Sequence, residues 1–110
     1  MKASPVNVLV VFSSQCGKTE KLALAAAVGA VQARANIRMR RLVDSGEEVA
    51  DCKEELARMR KEYVPPTRAD IVWADAVIVG MNNTIAGVAK DAAEATAFGR
   101  RVVAETRSSL

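Results

Sequence analysis

The sequence predicts one α/β domain built on a parallel β-sheet with helical crossovers. Two segments, residues 6–12 with one polar residue at Asn7 and residues 76–80, are apolar and rich in β-branched residues, which is typical of strands buried on both faces of a parallel sheet. Segments with helical periodicity alternate with the strands, and this alternation is the pattern of right-handed βαβ units. The 110 residues fit a single domain, from 1 to 110, with one core.

The first half of the chain supplies two strands and two helices. Residues 6–12 form the first strand, and residues 18–35 form an alanine-rich helix whose small side chains allow it to lie close to a sheet. Residues 37–43 predict a second strand, and the arginines in it favour an edge position. Residues 51–63 predict a charged helix that ends before two consecutive prolines. The expected buried positions are Leu22, Ala25, Ala26, Gly29 and Ala33 in the first helix and Leu56, Met59 and Tyr63 in the second.

The second half supplies the third strand and the last helix. Residues 69–73 predict a short helical turn, residues 76–80 the third strand, and residues 81–87 a polar loop. The remainder of the chain has helical periodicity. We expect Trp73 to pack in the core beneath the sheet. The expected buried stripe of the last helix is Ala92, Ala95, Phe98, Val102 and Val103.

Composition excludes several classes of function. The chain has no histidine, which removes Ser-His-Asp catalysis and most zinc sites. The net charge is +3 and the arginine clusters have the spacing of solvated faces, so we predict no binding to nucleic acid. No apolar run is long enough to span a membrane. Two cysteines without a secretory signal pattern predict a cytoplasmic protein with reduced thiols.

The loop after the first strand, residues 13–19, predicts a phosphate site. It combines hydroxyl groups with Gly17, which allows close approach, and it leads into a helix whose N-terminus attracts anions. A nucleoside triphosphate would require glycine in place of Phe12, and the candidate magnesium ligand Asp75 precedes a strand instead of ending it. A phosphate monoester requires only the helix N-terminus, N–H groups and hydroxyls. An ordinary helix cap and turn is the alternative role for this loop.

Two segments resemble known flavoproteins. Residues 14–23, SQCGKTEKLA, resemble the FMN-phosphate loop of flavodoxins, S-x-T-G-x-T followed by a helix, and more closely that of the WrbA-type NAD(P)H:quinone oxidoreductases. Residues 69–80 are similar to the stretch of that family that leads into G-T-P-T-R-F-G. The matches cover roughly residues 6–88, and the last helix is similar to the C-terminal helix of that fold.

The resemblance implies a flavodoxin-like three-layer sandwich with parallel strands in the order 2-1-3, truncated because no segment encodes strands 4 and 5. It implies FMN as the cofactor and NAD(P)H and a quinone as substrates. The flavin would transfer the hydride without a catalytic residue from the protein. The residues that would bind the cofactor are Ser13, Ser14, Gln15, Cys16, Gly17, Lys18, Thr19, Met81, Asn82, Asn83, Thr84 and Ile85.

The sequence also departs from the family pattern. The segment that begins at Asn82 replaces Pro-Thr-Arg-Phe-Gly, and Cys16 stands where threonine or tyrosine is usual. Cys16 is either a reactive thiol at a helix N-terminus or a tolerated loop residue. The alternative function is therefore a shortened flavodoxin-like interaction module without turnover. An unpaired apolar edge on the third strand predicts a homo-oligomer, either a dimer or a tetramer.

Overall fold

A computed structural model describes residues 5–14, 16–42, 52–81, 84–85 and 92–108. The strands β2, β1, β3 and β4 lie side by side in that order; the first three are parallel, and β4 is antiparallel to β3. The predicted α/β class and the parallel order 2-1-3 are therefore confirmed. The elements are β1 (Asn7–Phe12), α1 (Lys18–Gln32), β2 (Asn36–Arg41), α2 (Lys53–Glu62), α3 (Arg68–Trp73), β3 (Ala76–Met81), β4 (Thr84–Ile85) and α4 (Ala92–Ser108).

The hydrophobic core lies on the face of the sheet that α1 covers. Val8, Val10 and Phe12 project from β1 to this face and are fully buried. Paired residues of parallel strands share a side of the sheet, so Met39 on β2 and Ile78 on β3, both paired with Val10, project there too. The helices contribute Ala23, Ala26, Ala27 and Ala30 from α1, Leu56 and Met59 from α2, and Ala95 and Val103 from α4.

Helices α1 and α4 touch at the level of their backbones. A Cβ atom added to Gly29 would collide with the backbone carbonyl of Thr96, and one added to Gly99 would collide with that of Ala26. The two glycines therefore permit an approach that no larger residue allows at these positions. Because α1 contacts both α4 and the sheet, its buried face is wider than the predicted stripe and includes Ala23.

The opposite face of the sheet is less completely covered. Leu9 and Val11 of β1 lie on this side and are buried. Their partners on β3, Val77 and Val79, are 48% and 39% exposed. The sheet therefore has one face that carries the core and another that is partly open to solvent.

Asp70 fixes α3 to β2 on this second face. Its carboxylate accepts hydrogen bonds from the N–H of Thr67, from Nη1 of Arg38 at 3.2 Å and from Nε of Arg40 at 3.0 Å. Thr67 in turn accepts a hydrogen bond from the N–H of Asp70, which completes a capping box at the start of α3. The hydrogen bond from Thr67, with that from Arg40, lowers the pKa of Asp70 to about 2, although burial acts in the opposite direction.

Replacing Asp70 by asparagine should lower the melting temperature at neutral pH and flatten its dependence on acid. The folded-state pKa lies below the ordinary value of 3.8, so the stabilisation is complete above that value and is lost as the pH falls to about 2. Melting curves of the two proteins should therefore converge toward about pH 2. Glu55→Gln, which removes an exposed carboxylate from α2, should shift the melting temperature by no more than about 3 °C. A constant difference between wild type and Asp70→Asn at all pH values would contradict this assignment.

The prediction that Trp73 belongs to the core is wrong. Its ring is half-buried, and the guanidinium carbon of Arg38 lies 4.3 Å from the ring centroid. In a cation–π contact of this kind, the charged group is attracted to the face of the ring and still keeps its access to water. Trp73 therefore covers part of the second face of the sheet together with Arg38.

The connection after β3 differs from the expected polar loop. Thr84 and Ile85 form β4 and pair with Met81 and Gly80. The loop prediction is wrong for Thr84 and Ile85, because their backbones pair with the end of β3. The expectation of a wholly unpaired β3 edge is wrong for the same reason, although the pairing with β4 in the described residues reaches only Gly80 and Met81.

Element ends agree with the predictions to within a few residues. Helix α1 ends at Gln32 instead of residue 35, because Arg34 takes a left-handed conformation with φ of 65°. Residues 43, 51, 82–83, 86–91 and 109–110 of the predicted elements lie outside the described residues.

Candidate functional site

The loop from β1 to α1 lies at the rim where the carboxyl ends of the three parallel strands meet. The N–H of Ser13 donates to the carbonyl of Gly80 at the end of β3, at 3.0 Å. The N–H of Leu42, just beyond β2, donates to the carbonyl of Phe12 at 2.8 Å. The chain following β1 is thus bonded to both neighbouring strands, and the Ser13 loop lies beside the end of β3.

Gly17 sets the direction in which the loop enters α1. It is the N-cap residue, with φ of 90° and ψ of 0°, a conformation that residues with a Cβ atom rarely adopt. Its N–H donates to Oγ of Ser14 at 3.0 Å, and this buried hydrogen bond links Ser14 to the start of the helix. Helix α1 begins at Lys18, so the positive end of its dipole lies at this loop.

A buried arginine donates a hydrogen bond to the backbone of this loop. Arg41, the last residue of β2, is 3% exposed, and its Nη2 donates to the backbone carbonyl of Ser14 at 3.1 Å. This contact places a full positive charge under the loop and beside the N-terminus of α1. Ser14 and Thr19 are themselves buried, whereas Lys18 is exposed to solvent.

An ion pair joins α2 to the first turn of α1. Arg58 donates from Nη2 to Oε1 of Glu20 at 2.6 Å and from Nη1 to Oε2 at 2.9 Å, a bidentate arrangement. Nη1 also donates to Glu62 one turn further along α2, at 2.7 Å. A Cβ atom on Gly17 would lie within 4 Å of both Glu20 and Arg58. Helix α2 therefore reaches the edge of the candidate phosphate loop.

Tyr63 completes this cluster from the end of α2. Its hydroxyl donates to Glu20, and its ring meets Phe12 edge to face with the ring centroids 4.9 Å apart. The hydrogen bond from Arg58 lowers the pKa of Glu20 despite partial burial, while burial and then the bond to Glu20 raise the pKa of Tyr63. At neutral pH the cluster thus holds a carboxylate, a guanidinium and a neutral phenol.

Cys16 and Cys52 form a disulfide, so the prediction of two reduced thiols is wrong for this structure. Their Cα atoms are 5.1 Å apart, and 36 positions separate them in the sequence. The two residues meet because α2 is folded onto the start of α1 by the burial of Leu56 and Met59. The disulfide and the pair between Arg58 and Glu20 are two separate links between α2 and the loop region.

The structure brings together most of the predicted site that it describes. Ser13, Ser14, Cys16, Gly17, Lys18 and Thr19 form the loop and helix start, and Met81 ends β3 beside Ser13. Thr84 and Ile85 are described as the strand β4. Gln15, Asn82 and Asn83 lie outside the described residues. The roles of these residues in binding a cofactor stay predictions.

The positions of Phe12 and Asp75 argue against a nucleoside triphosphate site in this loop. Phe12, which takes the place of the first glycine, is fully buried in the core. Asp75 accepts a hydrogen bond from the N–H of Asn7 at 2.9 Å, at the end of the sheet opposite to the loop. That carboxylate therefore lies at the wrong edge of the sheet for a magnesium ion bound by Thr19.

Sequence reasoning missed four residues of this region: Glu20, Arg41, Arg58 and Tyr63. Only one of them has a local signal, because glutamate at the third position of a helix is typical of a capping box. The pairing of Arg58 with Glu20 and the position of Arg41 depend on how α2 and β2 pack. Periodicity along the chain carries no information about that packing.

Known protein families offer no match to this chain, and no curated protein matches it either. Within the described ranges, no helix is long and apolar enough to cross a membrane. The same residues hold no group of three or more histidine, cysteine, aspartate and glutamate side chains placed to bind a metal ion.

Proposed function

We propose that this chain is a flavodoxin-like protein that binds FMN at residues 13–19 and transfers hydride from NAD(P)H through the flavin to a quinone. One observation carries the proposal: the loop turned by Gly17 leads into the N-terminus of a 15-residue helix at the rim of a parallel sheet ordered 2-1-3. In such sheets ligands bind outside the carboxyl ends of the strands, where the strand order reverses. Here that point lies next to β1.

The residues of the loop fit a phosphate monoester. The helix dipole and the N–H groups of the first turn attract an anion, and the positive charges of Arg41 and Lys18 add to this field. Glu20 lies close to the same turn, but Arg58 pairs with it and compensates its charge. The phosphate of FMN would therefore accept hydrogen bonds from backbone N–H groups and would lie in a region of net positive charge.

The flavin ring, when bound, supplies the hydride-transfer chemistry, and the protein supplies position and electrostatics. Met81, which is 47% exposed at the end of β3, offers an apolar and polarizable side chain beside the rim. Ser13, half-buried and bonded to Gly80, holds the loop against this strand. The absence of histidine agrees with a reaction that needs no acid or base from the protein.

The test compares FMN with riboflavin, which lacks the phosphate, by absorbance and fluorescence titration of Lys18→Glu. This change reverses the charge at the first residue of α1, so we expect FMN to bind about tenfold more weakly or worse while riboflavin binding is unchanged. Lys21→Glu is the matched control, because it makes the same charge change at an exposed position beyond the first three residues of the helix. NADH-dependent quinone reduction should follow FMN occupancy.

Two results would count against the proposal. Equal affinity for FMN and riboflavin would show that the loop does not bind the phosphate. Equal effects of Lys18→Glu and Lys21→Glu would show that only the total charge matters.

A second candidate function, an interaction module without turnover, has an observation of its own. Val77 and Val79 are exposed on the partly open face, and in the described part of the chain β4 pairs only with the end of β3. An apolar face beside an unpaired strand edge favours association with another chain. We propose a homo-oligomer formed through β3. Sedimentation at a multiple of the monomer mass without flavin binding would favour this candidate, and a monomer would exclude the oligomer.

A further inference from the structure

The disulfide joins two helices at the ends that carry partial positive charge. Cys16 immediately precedes Gly17, the N-cap residue of α1, and Cys52 is itself the N-cap residue of α2. We propose that Cys16–Cys52 is a reversible thiol–disulfide site that accepts two electrons from a dithiol and, when reduced, releases the first turn of α2 from the β1–α1 loop. The thiol–disulfide exchange does not depend on the proposed function, whereas its effect on ligand binding rests on that function.

The bond is open to attack from solvent. Cys16 is exposed and Cys52 is partly exposed, so we take Cys16 as the residue that an incoming thiolate attacks. The fully buried core residues of α2, Leu56 and Met59, lie further along the helix. Access of this kind distinguishes an exchangeable disulfide from one that is enclosed in a core.

The reduced state has a specific source of stabilisation. A thiolate at a helix N-terminus interacts favourably with the helix dipole, and here each cysteine has its own helix. Lys18 and Lys53 carry positive charge within two positions of the cysteines along the chain, while Glu54 and Glu55 in the first turn of α2 oppose it. Stabilising the reduced form makes a disulfide a better oxidant, so this bond should exchange with cellular dithiols.

The reaction balances as a two-electron exchange. A thiolate of the dithiol attacks Sγ of Cys16, the bond between the two cysteines breaks, and Cys52 leaves as a thiolate at the N-cap of α2. The second thiol of the dithiol, as its thiolate, then attacks the mixed disulfide and releases Cys16. The dithiol becomes a cyclic disulfide, and its two protons pass to the released cysteines or to solvent.

Reduction should loosen one turn and leave the fold intact. Leu56 and Met59 stay buried, and Arg58 still holds Glu20 through two hydrogen bonds. The first turn of α2, by contrast, has exposed side chains at Lys53 and the following two positions. Without the disulfide this turn loses its covalent link to the residue before Gly17, and the loop gains freedom to admit an anion.

The first experiment equilibrates the protein with glutathione buffers, alkylates free thiols and measures the reduced fraction. We expect Lys53→Glu to require at least threefold more reduced glutathione for half-reduction than Lys61→Glu, which makes the same change at the other end of α2. A disulfide that stays oxidised in excess reduced glutathione would overturn the proposal, as would equal behaviour of the two variants.

Hydrogen exchange of the oxidised and reduced proteins tests the structural consequence. Amides of residues 53–56 should exchange at least tenfold faster after reduction, and those of α1 within twofold of their oxidised rates. Cys52→Ser should reproduce the reduced pattern. Unchanged exchange or unfolding of the whole chain would overturn the proposal. FMN titration of both states separates the two ideas, since faster exchange without flavin binding would support the exchange site and reject the proposed function.

Discussion

Alanine in place of Gly99 should lower the free energy of unfolding by about 2 kcal/mol, although alanine has the higher helix propensity. The added methyl group would meet the backbone carbonyl of Ala26, and a backbone atom cannot move aside as a flexible side chain can. Helices α1 and α4 would have to separate, which exposes core contacts such as that of Ala95. Urea unfolding should show the loss directly, and the melting temperature should fall by about 10 °C.

Two comparisons make this prediction specific. Val28→Ala alters an exposed position of α1, where no such collision exists, and should change stability by no more than about 0.5 kcal/mol. Gly29→Ala makes the reciprocal collision with Thr96, so the double variant should lose less than the sum of the single variants. One separation of the helices relieves both collisions. Additive losses, or a stabilised Gly99→Ala protein, would show that the helices do not touch as described.

Phe12→Ala should have the largest effect on stability, a loss of about 3–5 kcal/mol. The ring is fully buried at the end of β1 and lies edge to face against Tyr63. Its removal leaves a cavity beneath the candidate loop and beside α2. A domain of this size has a total stability of roughly 5–15 kcal/mol, so the variant should be close to unfolding at moderate urea concentration.

The control for this prediction is Phe12→Leu. Leucine keeps most of the apolar volume and should lose less than half as much stability as alanine. Both proteins should be measured by urea unfolding. The free energy of unfolding should fall with urea concentration at the same slope in both, so that the difference in stability refers to the native state. A loss below about 1 kcal/mol for alanine would contradict the close packing of Phe12 described above.

Local patterns were sufficient for every described element of this fold except β4. Apolar segments rich in β-branched residues predicted β1 and β3, and the apolar spacing of Leu56, Met59 and Tyr63 predicted the buried side of α2. The alternation of strands and helices predicted parallel strands with right-handed crossovers, whereas the strand order 2-1-3 was predicted from the resemblance to flavodoxins. The antiparallel β4 was missed because a strand of two residues has no periodicity of its own.

One part of the candidate site was predictable from the sequence, and another part was not. The turn at Gly17 and the start of α1 follow from residues that are adjacent in the sequence, so the loop was predictable. The disulfide, the pair of Arg58 with Glu20 and the contact of Arg38 with Trp73 join residues that are 35 to 38 positions apart. Their formation depends on the direction in which α2 and α3 pack against the sheet, and no local spacing encodes that direction.

The sequence by itself determined the class of fold and the position of the loop between the first strand and the first helix, because backbone preference and apolar periodicity act over a few residues. Only the tertiary structure decided that α2 is joined to that loop, that α4 lies on α1 through Gly29 and Gly99, and that the second face of the sheet stays partly open. Those outcomes depend on which distant surfaces fit together. Shape and charge decide that fit after the elements have formed.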